Sequence, residues 1–240
     1  LLQSVPESQA VIGVVIPAHD EERVIAECLD HVASAARSPA LNGETVQVVV
    51  VLDACTDHTG AIARRHGATV VSVEARNVGV ARAAGAQVCL DLGCRWLAFT
   101  DADTQVAEGW LAHQMLLDSD AVCGTVAVRD WGDNDIAIRD HFTRRYTDAD
   151  GHRHIHGANL GVTAQAYQRA GGFPPIESSE DVALVRALER IGATIAWSAL
   201  PRVWTSARKN FRAPGGFGQT LLLYEAEAAA AGAARKGAGC

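Results

Sequence analysis

Three runs rich in β-branched residues, at 11–16, 46–52 and 69–73, alternate with stretches in which apolar residues return at helical spacing, as Val24, Ile25, Cys28, Leu29 and Val32 do. That alternation is restrictive. A run that is apolar at nearly every position must be covered on both faces, and successive runs joined by helices are covered that way in a parallel sheet of βαβ units. The expected fold class is therefore α/β, with a mostly parallel central sheet flanked by helices.

Further elements extend the pattern. Pro17 removes a ladder donor and ends the first strand, and Asp20, Glu21 and Glu22 supply acids to a helix start. The second run ends on Asp53, before a helix that reaches about His66. Asn77 caps a third helix over 76–85. A buried strand follows over 96–103, then a helix over 108–117 and a strand over 121–128. Past residue 129 the pattern weakens: a helix at 135–146, a short glycine-flanked strand at 157–162 and a loop at 171–175. Ser178 and Asp181 then fit a capping box for a helix ended by Gly192. Short edge strands at 193–197 and 202–204 and a helical tail at 221–234 complete the reading. One domain is expected over 1–240: a first half at 11–128 with a nucleotide-binding type of architecture, a second half at 129–222 and a helical tail at 223–240.

The strand over 96–103 stops on two carboxylates one residue apart, Asp101 and Asp103. In an extended chain these point to one side while Ala102 points to the other. Paired acids repel, and a hard cation such as Mg2+ or Mn2+ relieves the repulsion because it prefers oxygen ligands. A polar turn is the plainer explanation of an isolated Asp-x-Asp. In open sheets ligands bind beyond the carboxyl ends of the strands, and residues 17–21, Asp53 and Asp101/Asp103 all fall there.

Composition narrows the classes. A net charge of −7 without a basic run argues against nucleic acid as partner. Six cysteines without Cys-x-x-Cys spacing fit a reducing, cytoplasmic setting, and no apolar run approaches the roughly 20 residues of a membrane span. A soluble or membrane-peripheral protein is expected. The first strand is not followed by Gly-x-Gly-x-x-Gly, which excludes a Rossmann dehydrogenase, nor by the glycine-rich, Arg-containing loop of a sugar-nucleotide pyrophosphorylase.

Six landmarks in order carry a resemblance: Val-Ile-Pro-Ala-His-Asp-Glu at 15–21, Asp53, Arg-Asn-Val-Gly-Val-Ala-Arg at 76–82, Asp-Ala-Asp at 101–103, Gly-Ala-Asn at 157–159 and Glu180-Asp181. Together they resemble the family-two glycosyltransferases of the GT-A fold. The resemblance implies transfer of a sugar from a nucleoside diphosphate sugar, with uracil the expected base, to an acceptor hydroxyl, with Mg2+ or Mn2+ and inversion at the anomeric carbon. It implies that Pro17, Ala18 and Glu21 border the nucleoside, that Asp53 meets the base and that Asn77 and Gly79 shape the adjoining loop. Arg82 would meet the base or diphosphate. Asp101 and Ala102 would border the donor, with Asp103 as metal ligand and Asp101 as a second ligand or ribose contact. Asp181 would be the general base, with Glu180 the second choice, and Gly157, Ala158 and Asn159 would line the acceptor side. His154 and His156 are candidates for a further metal ligand, and a late loop with Trp204, Arg208 and Lys209 would fold over the diphosphate. A retaining transferase on the same fold and a catalytically silent nucleotide-sugar binding module are the alternatives.

Overall fold

The computed structural model describes residues 11–132, 134 and 136–207. In chain order these form β1 (Val11–Ala18), α1 (Ile25–Ala36), β2 (Thr45–Asp53), α2 (Thr59–Arg65), β3 (Thr69–Val73), α3 (Val78–Asp91), β4 (Trp96–Phe99), β5 (Gln105–Val106), α4 (Trp110–Leu116) and β6 (Ala121–Ala127). Then follow α5 (Ile136–Arg145), β7 (Leu160–Thr163), α6 (Ala164–Ala170), α7 (Glu180–Arg190) and β8 (Ile195–Trp204).

All eight strands join one sheet in the order β3-β2-β1-β4-β7-β6-β8-β5. The first four are parallel, β7 runs antiparallel to β4 and β6, β8 is parallel to β6, and β5 is antiparallel to β8. Side chains alternate between two apolar layers. Ile12, Val14 and Ile16 pack under α1, α2 and α4, whereas Val15, Val49, Val51 and Phe99 pack under α3, α6 and α7. Helix α3 lies very close to the sheet, because a Cβ added to Gly85 would stand 2.5 Å from Val15 Cγ1. That approach brings Arg82, one turn earlier, to the ends of β1 and β4. The chain order reverses about β1, so the crevice beyond the β1 and β4 ends is a topological switch point.

The helix–strand alternation and the mostly parallel sheet agree with the sequence, and several details differ. Pro17 does not end β1, which pairs on to Ala18 opposite Leu52. Strand β4 stops at Phe99, and residues 101–104 turn, with the Thr104 amide on the Asp101 carbonyl at 3.0 Å. Residues 157–159 form a 3-10 turn, and the strand begins only at Leu160. The two expected edge strands are one strand, β8, lying between β6 and β5 with an irregularity opposite Gly124/Thr125. Ser178 does not cap α7: the N-cap is Ser179, left-handed at φ 62° and without a side-chain cap bond. Arg208, Lys209 and the helix expected at 221–234 lie outside the described residues.

Candidate active site

The loops that leave β1 and β2 are laced together by short polar side chains. Asp20 Oδ1 accepts the amides of Thr56 (2.6 Å) and Asp57 (3.2 Å), Asp57 accepts those of Glu22 (3.0 Å) and Thr59 (2.9 Å), and Thr59 Oγ1 accepts that of Glu21 (2.8 Å). The Thr56 amide in particular holds the Asp20 carboxyl below its ordinary range. Asp53, at the last position of β2 and 5% exposed, accepts the amides of Ala75 (2.9 Å) and Arg76 (2.7 Å) on Oδ1 and of Asn77 (2.6 Å) on Oδ2. Asn77 caps α3 as its sequence indicates, its Oδ1 accepting Val80 N–H at 3.0 Å while its Nδ2 donates to the Ile176 carbonyl. Asp20, Ala54, Arg76 and Ser179, four of the six non-glycine residues with positive φ among the described residues, lie in these loops and at the start of α7.

Arg82 is the centre of the site. It is not a solvated helix residue: 4% exposed, it donates through Nη2 to Asp101 Oδ1 at 2.5 Å and through Nη1 to Glu180 Oε1. Burial works against its charge, and Asp101 and Glu180 hold its pKa above the ordinary value all the same. Glu180 is pushed up by its own burial, with Arg82 opposing. Both Nη groups face carboxylates of the protein. Asp181 lies next in the chain, and its Oδ2 accepts the Gly157 amide at 2.8 Å. Arg82 thus joins the Asp-Ala-Asp turn to the Glu180-Asp181 pair. Pro17 is half-buried nearby, and Ala18 and Glu21 are buried.

Two assignments need correction. Ala102 is 3% exposed and packs into the layer under α1, so its side chain does not border a donor. Asn159 is 1% exposed, and its amide is spent on the protein: Oδ1 accepts Trp110 Nε1–H (2.9 Å), and Nδ2 donates to the carbonyls of Thr125 (2.7 Å) and Pro201 (2.8 Å). It pins α4, β6 and β8 together and does not line an acceptor site. Asn159→Leu, which strands three buried partners, is expected to cost about 3–5 kcal/mol of unfolding free energy, read from urea midpoints at constant m.

Residues 13–170, well over half of the chain, match the family model described as Glycosyl transferase family 2. The chain belongs to glycosyl transferase family 2. No curated protein matches it in sequence. Among solved structures, Staphylococcus aureus TarS 1–349 in complex with UDP-GlcNAc is similar at 16% identity and TM-score 0.61, over 84% of this chain and 60% of that one. Glucosyl-3-phosphoglycerate synthase of Mycobacterium tuberculosis, in complex with Mn2+, UDP and glucosyl-3-phosphoglycerate, is 20% identical with TM-score 0.57, over 83% of this chain and 73% of that one. The mannosyltransferase PcManGT of Pyrobaculum calidifontis, with GDP-Man and Mn2+, is 23% identical with TM-score 0.54, over 79% and 57%. These likenesses establish the GT-A fold. The chain spans about 60% of the TarS fragment's length.

In this family 2 chain the histidines near the site make local contacts. Tyr146 OH accepts the Val126 amide at 2.8 Å, which leaves its proton for His156 Nε2 at 3.0 Å, and His154 Nε2 accepts the Thr147 amide at 3.1 Å while its ring stacks on Tyr146. Neither nitrogen joins the aspartates. Among the described residues the one cluster of three ligand-type side chains is Asp20, Cys55 and Asp57, whose carboxylates already hold loop amides. Burial, followed by the neighbouring His154, pushes the His156 pKa down to about 3, and burial lowers that of His154. Between about pH 6.5 and 3 the unfolded chain therefore binds more protons than the folded one, so stability is full above 6.5 and falls with pH across that window. Urea midpoints at pH 7 and pH 5 are expected to show the loss, and His156→Gln to flatten it.

A cleft of about 540 Å3 opens from Asp103 between the start of α1 and residues 129–132 and 134. Arg129 lies over the Trp204 ring, 3.4 Å from its centroid, and Trp131 closes the far side. Trp204, the last residue of β8, lines the same cleft as Asp103. Arg129 escaped the sequence reading because only the pairing of Ala127 with Trp204 brings it there. Phe173 was also missed: its ring stands T-shaped on Phe99 at 4.9 Å and carries the Arg82 guanidinium 5.9 Å from its centroid. No helix among the described residues is long and apolar enough to cross a membrane.

Proposed function

We propose that the chain transfers a sugar from a nucleoside diphosphate sugar, with uridine as the nucleoside, to an acceptor hydroxyl with inversion at the anomeric carbon. The observation that carries this is the convergence of Asp101, Glu180-Asp181 and Gly157 on Arg82 at the switch point of the sheet. The nucleoside would lie over Pro17, Ala18 and Glu21 beside the 75–79 loop. An ionised carboxylate has about four acceptor positions. Asp53 fills three with amides, which leaves one for a ring N–H of the base. TarS and the mycobacterial synthase were each seen with a uridine nucleotide and PcManGT with GDP-Man, so the base is a point for experiment.

Asp101 and Asp103 offer oxygen donors only, which suits Mg2+ or Mn2+; Asp103 would be the direct ligand and Asp101 a second one through the oxygen that Arg82 leaves. When bound, such an ion neutralises the charge that develops on the departing diphosphate. The acceptor would enter along the cleft between Asp103 and Trp204. Asp181 takes the proton of its hydroxyl as the oxygen bonds to the anomeric carbon and the bond from that carbon to the diphosphate oxygen breaks. A helix N-terminus favours the ionised state that a base requires.

Titration calorimetry of UDP into the protein, with and without Mn2+, tests the nucleotide half of this reading. Metal-dependent binding of UDP in preference to GDP is expected; binding of GDP alone would overturn uridine, and absence of any nucleotide binding would overturn the transferase reading.

A further inference from the structure

We infer that Arg82 is a positioning residue that sets the metal-side aspartates and the general base relative to each other, and that Glu180 is its anchor and not a base. The inference rests on the transferase reading above. Four observations carry it. The guanidinium spends its two Nη groups on carboxylates from different elements, Asp101 beyond β4 and Glu180 in the first turn of α7. A planar fork can span two such groups, whereas a lysine ammonium is a point charge that holds one.

The guanidinium is also walled in. Gly157 lies directly on it, so that any Cβ there would strike Cζ and both Nη atoms, and Phe173 covers it from another direction. Only 4% of the residue is exposed. Contact between α3 and α7 is itself built for closeness: a Cβ on Gly79 would stand 2.7 Å from the Pro174 carbonyl and 3.0 Å from Glu180 Cβ. Finally, Glu180 and Asp181 are successive residues of one helix, about 100° apart around its axis. With Glu180 fixed inward on Arg82, Asp181 is turned to the Gly157 amide. Loss of the anchor would let the helix start rotate, and a misplacement of about 1 Å in a reacting group costs on the order of a hundredfold in rate.

Arg82→Lys, Glu180→Gln, Asp181→Asn and the double variant Arg82→Lys/Asp181→Asn test the assignment through steady-state kinetics with a UDP-sugar and through Mn2+ binding followed by electron paramagnetic resonance. Arg82→Lys is expected to lower kcat about a hundredfold with the donor KM changed less than about threefold. In the Asp181→Asn background the same substitution is expected to cost little more, because its effect passes through Asp181. Mn2+ affinity should fall about tenfold in Arg82→Lys, through Asp101, and stay unchanged in Glu180→Gln. A raised donor KM at unchanged kcat would make Arg82 a substrate contact, and fully additive losses would make it merely structural; either overturns the assignment. Glu180→Gln falling as far as Asp181→Asn would make Glu180 the base and overturn it as well. If Arg82→Lys does not fold, non-additivity of Glu180→Gln with Asp181→Asn decides the matter. If the wild type turns over no nucleotide sugar, the transferase reading fails, and the Mn2+ titrations alone decide whether Arg82 positions Asp101.

Discussion

Asp181→Asn is expected to lower kcat for transfer by about a thousandfold, within the usual worth of a general base, while UDP affinity stays within about twofold. The amide is nearly isosteric, and its one oxygen can still accept the Gly157 amide in place of Oδ2, so the start of α7 keeps its place; what disappears, besides the local bond from Val182 N–H, is the group that takes the acceptor's proton. Of the two acids only Asp181 is open to do this. Glu180 is 4% exposed with its carboxylate on Arg82, whereas Asp181 is partly exposed and its one contact outside its own helix turn is the Gly157 amide at 2.8 Å. Donor hydrolysis by water, which leans less on a positioned base, should fall less than transfer.

Asp103→Asn is expected to remove the Mn2+ dependence of UDP binding and to weaken UDP binding in the presence of the ion by about a hundredfold, as titration calorimetry would show. The reason is local. Asp101 already has one oxygen on Arg82 at 2.5 Å and so offers the ion only its other one, and neither His154 nor His156 is directed to the pair. The Asp20, Cys55 and Asp57 cluster offers no substitute either, with its carboxylates on loop amides. Thermal unfolding of the same variant, recorded alongside, separates loss of the ion from loss of the fold.

Much of the fold was legible because it rests on local rules. Apolar β-branched runs at 11–16, 46–52 and 69–73 became β1, β2 and β3 within two residues, and Asn77 capped α3 because an Asn before a helical run satisfies an orphan amide. Where the reading failed, the deciding contacts are distant in sequence. Nothing near Asn159 announces that Trp110, Thr125 and Pro201 will use up its amide. Strand β8 looked like two because Pro201 interrupts its pattern, yet the irregularity at Gly124/Thr125 absorbs the break. Helix α6 was overlooked although its signals are in the sequence: Thr163 caps it through Ala166 N–H, and Gly171 ends it in the left-handed conformation. Asp101, Gly157 and the Glu180-Asp181 pair come together at Arg82, but those contacts depend on α3, β4 and α7 meeting, which no local pattern encodes.

The proposed displacement at the anomeric carbon of a UDP-sugar runs from the face opposite the leaving diphosphate. Proton NMR of UDP-glucose and UDP-N-acetylglucosamine incubated with the protein and Mn2+, recorded faster than the released sugar mutarotates, tests it without knowledge of the acceptor, because water can take its place. Both donors are α-linked, so the account requires the β-anomer of the free sugar to appear first, and Asp103→Asn to suppress it. Appearance of the α-anomer first, or unchanged release of sugar in Asp103→Asn, would contradict it.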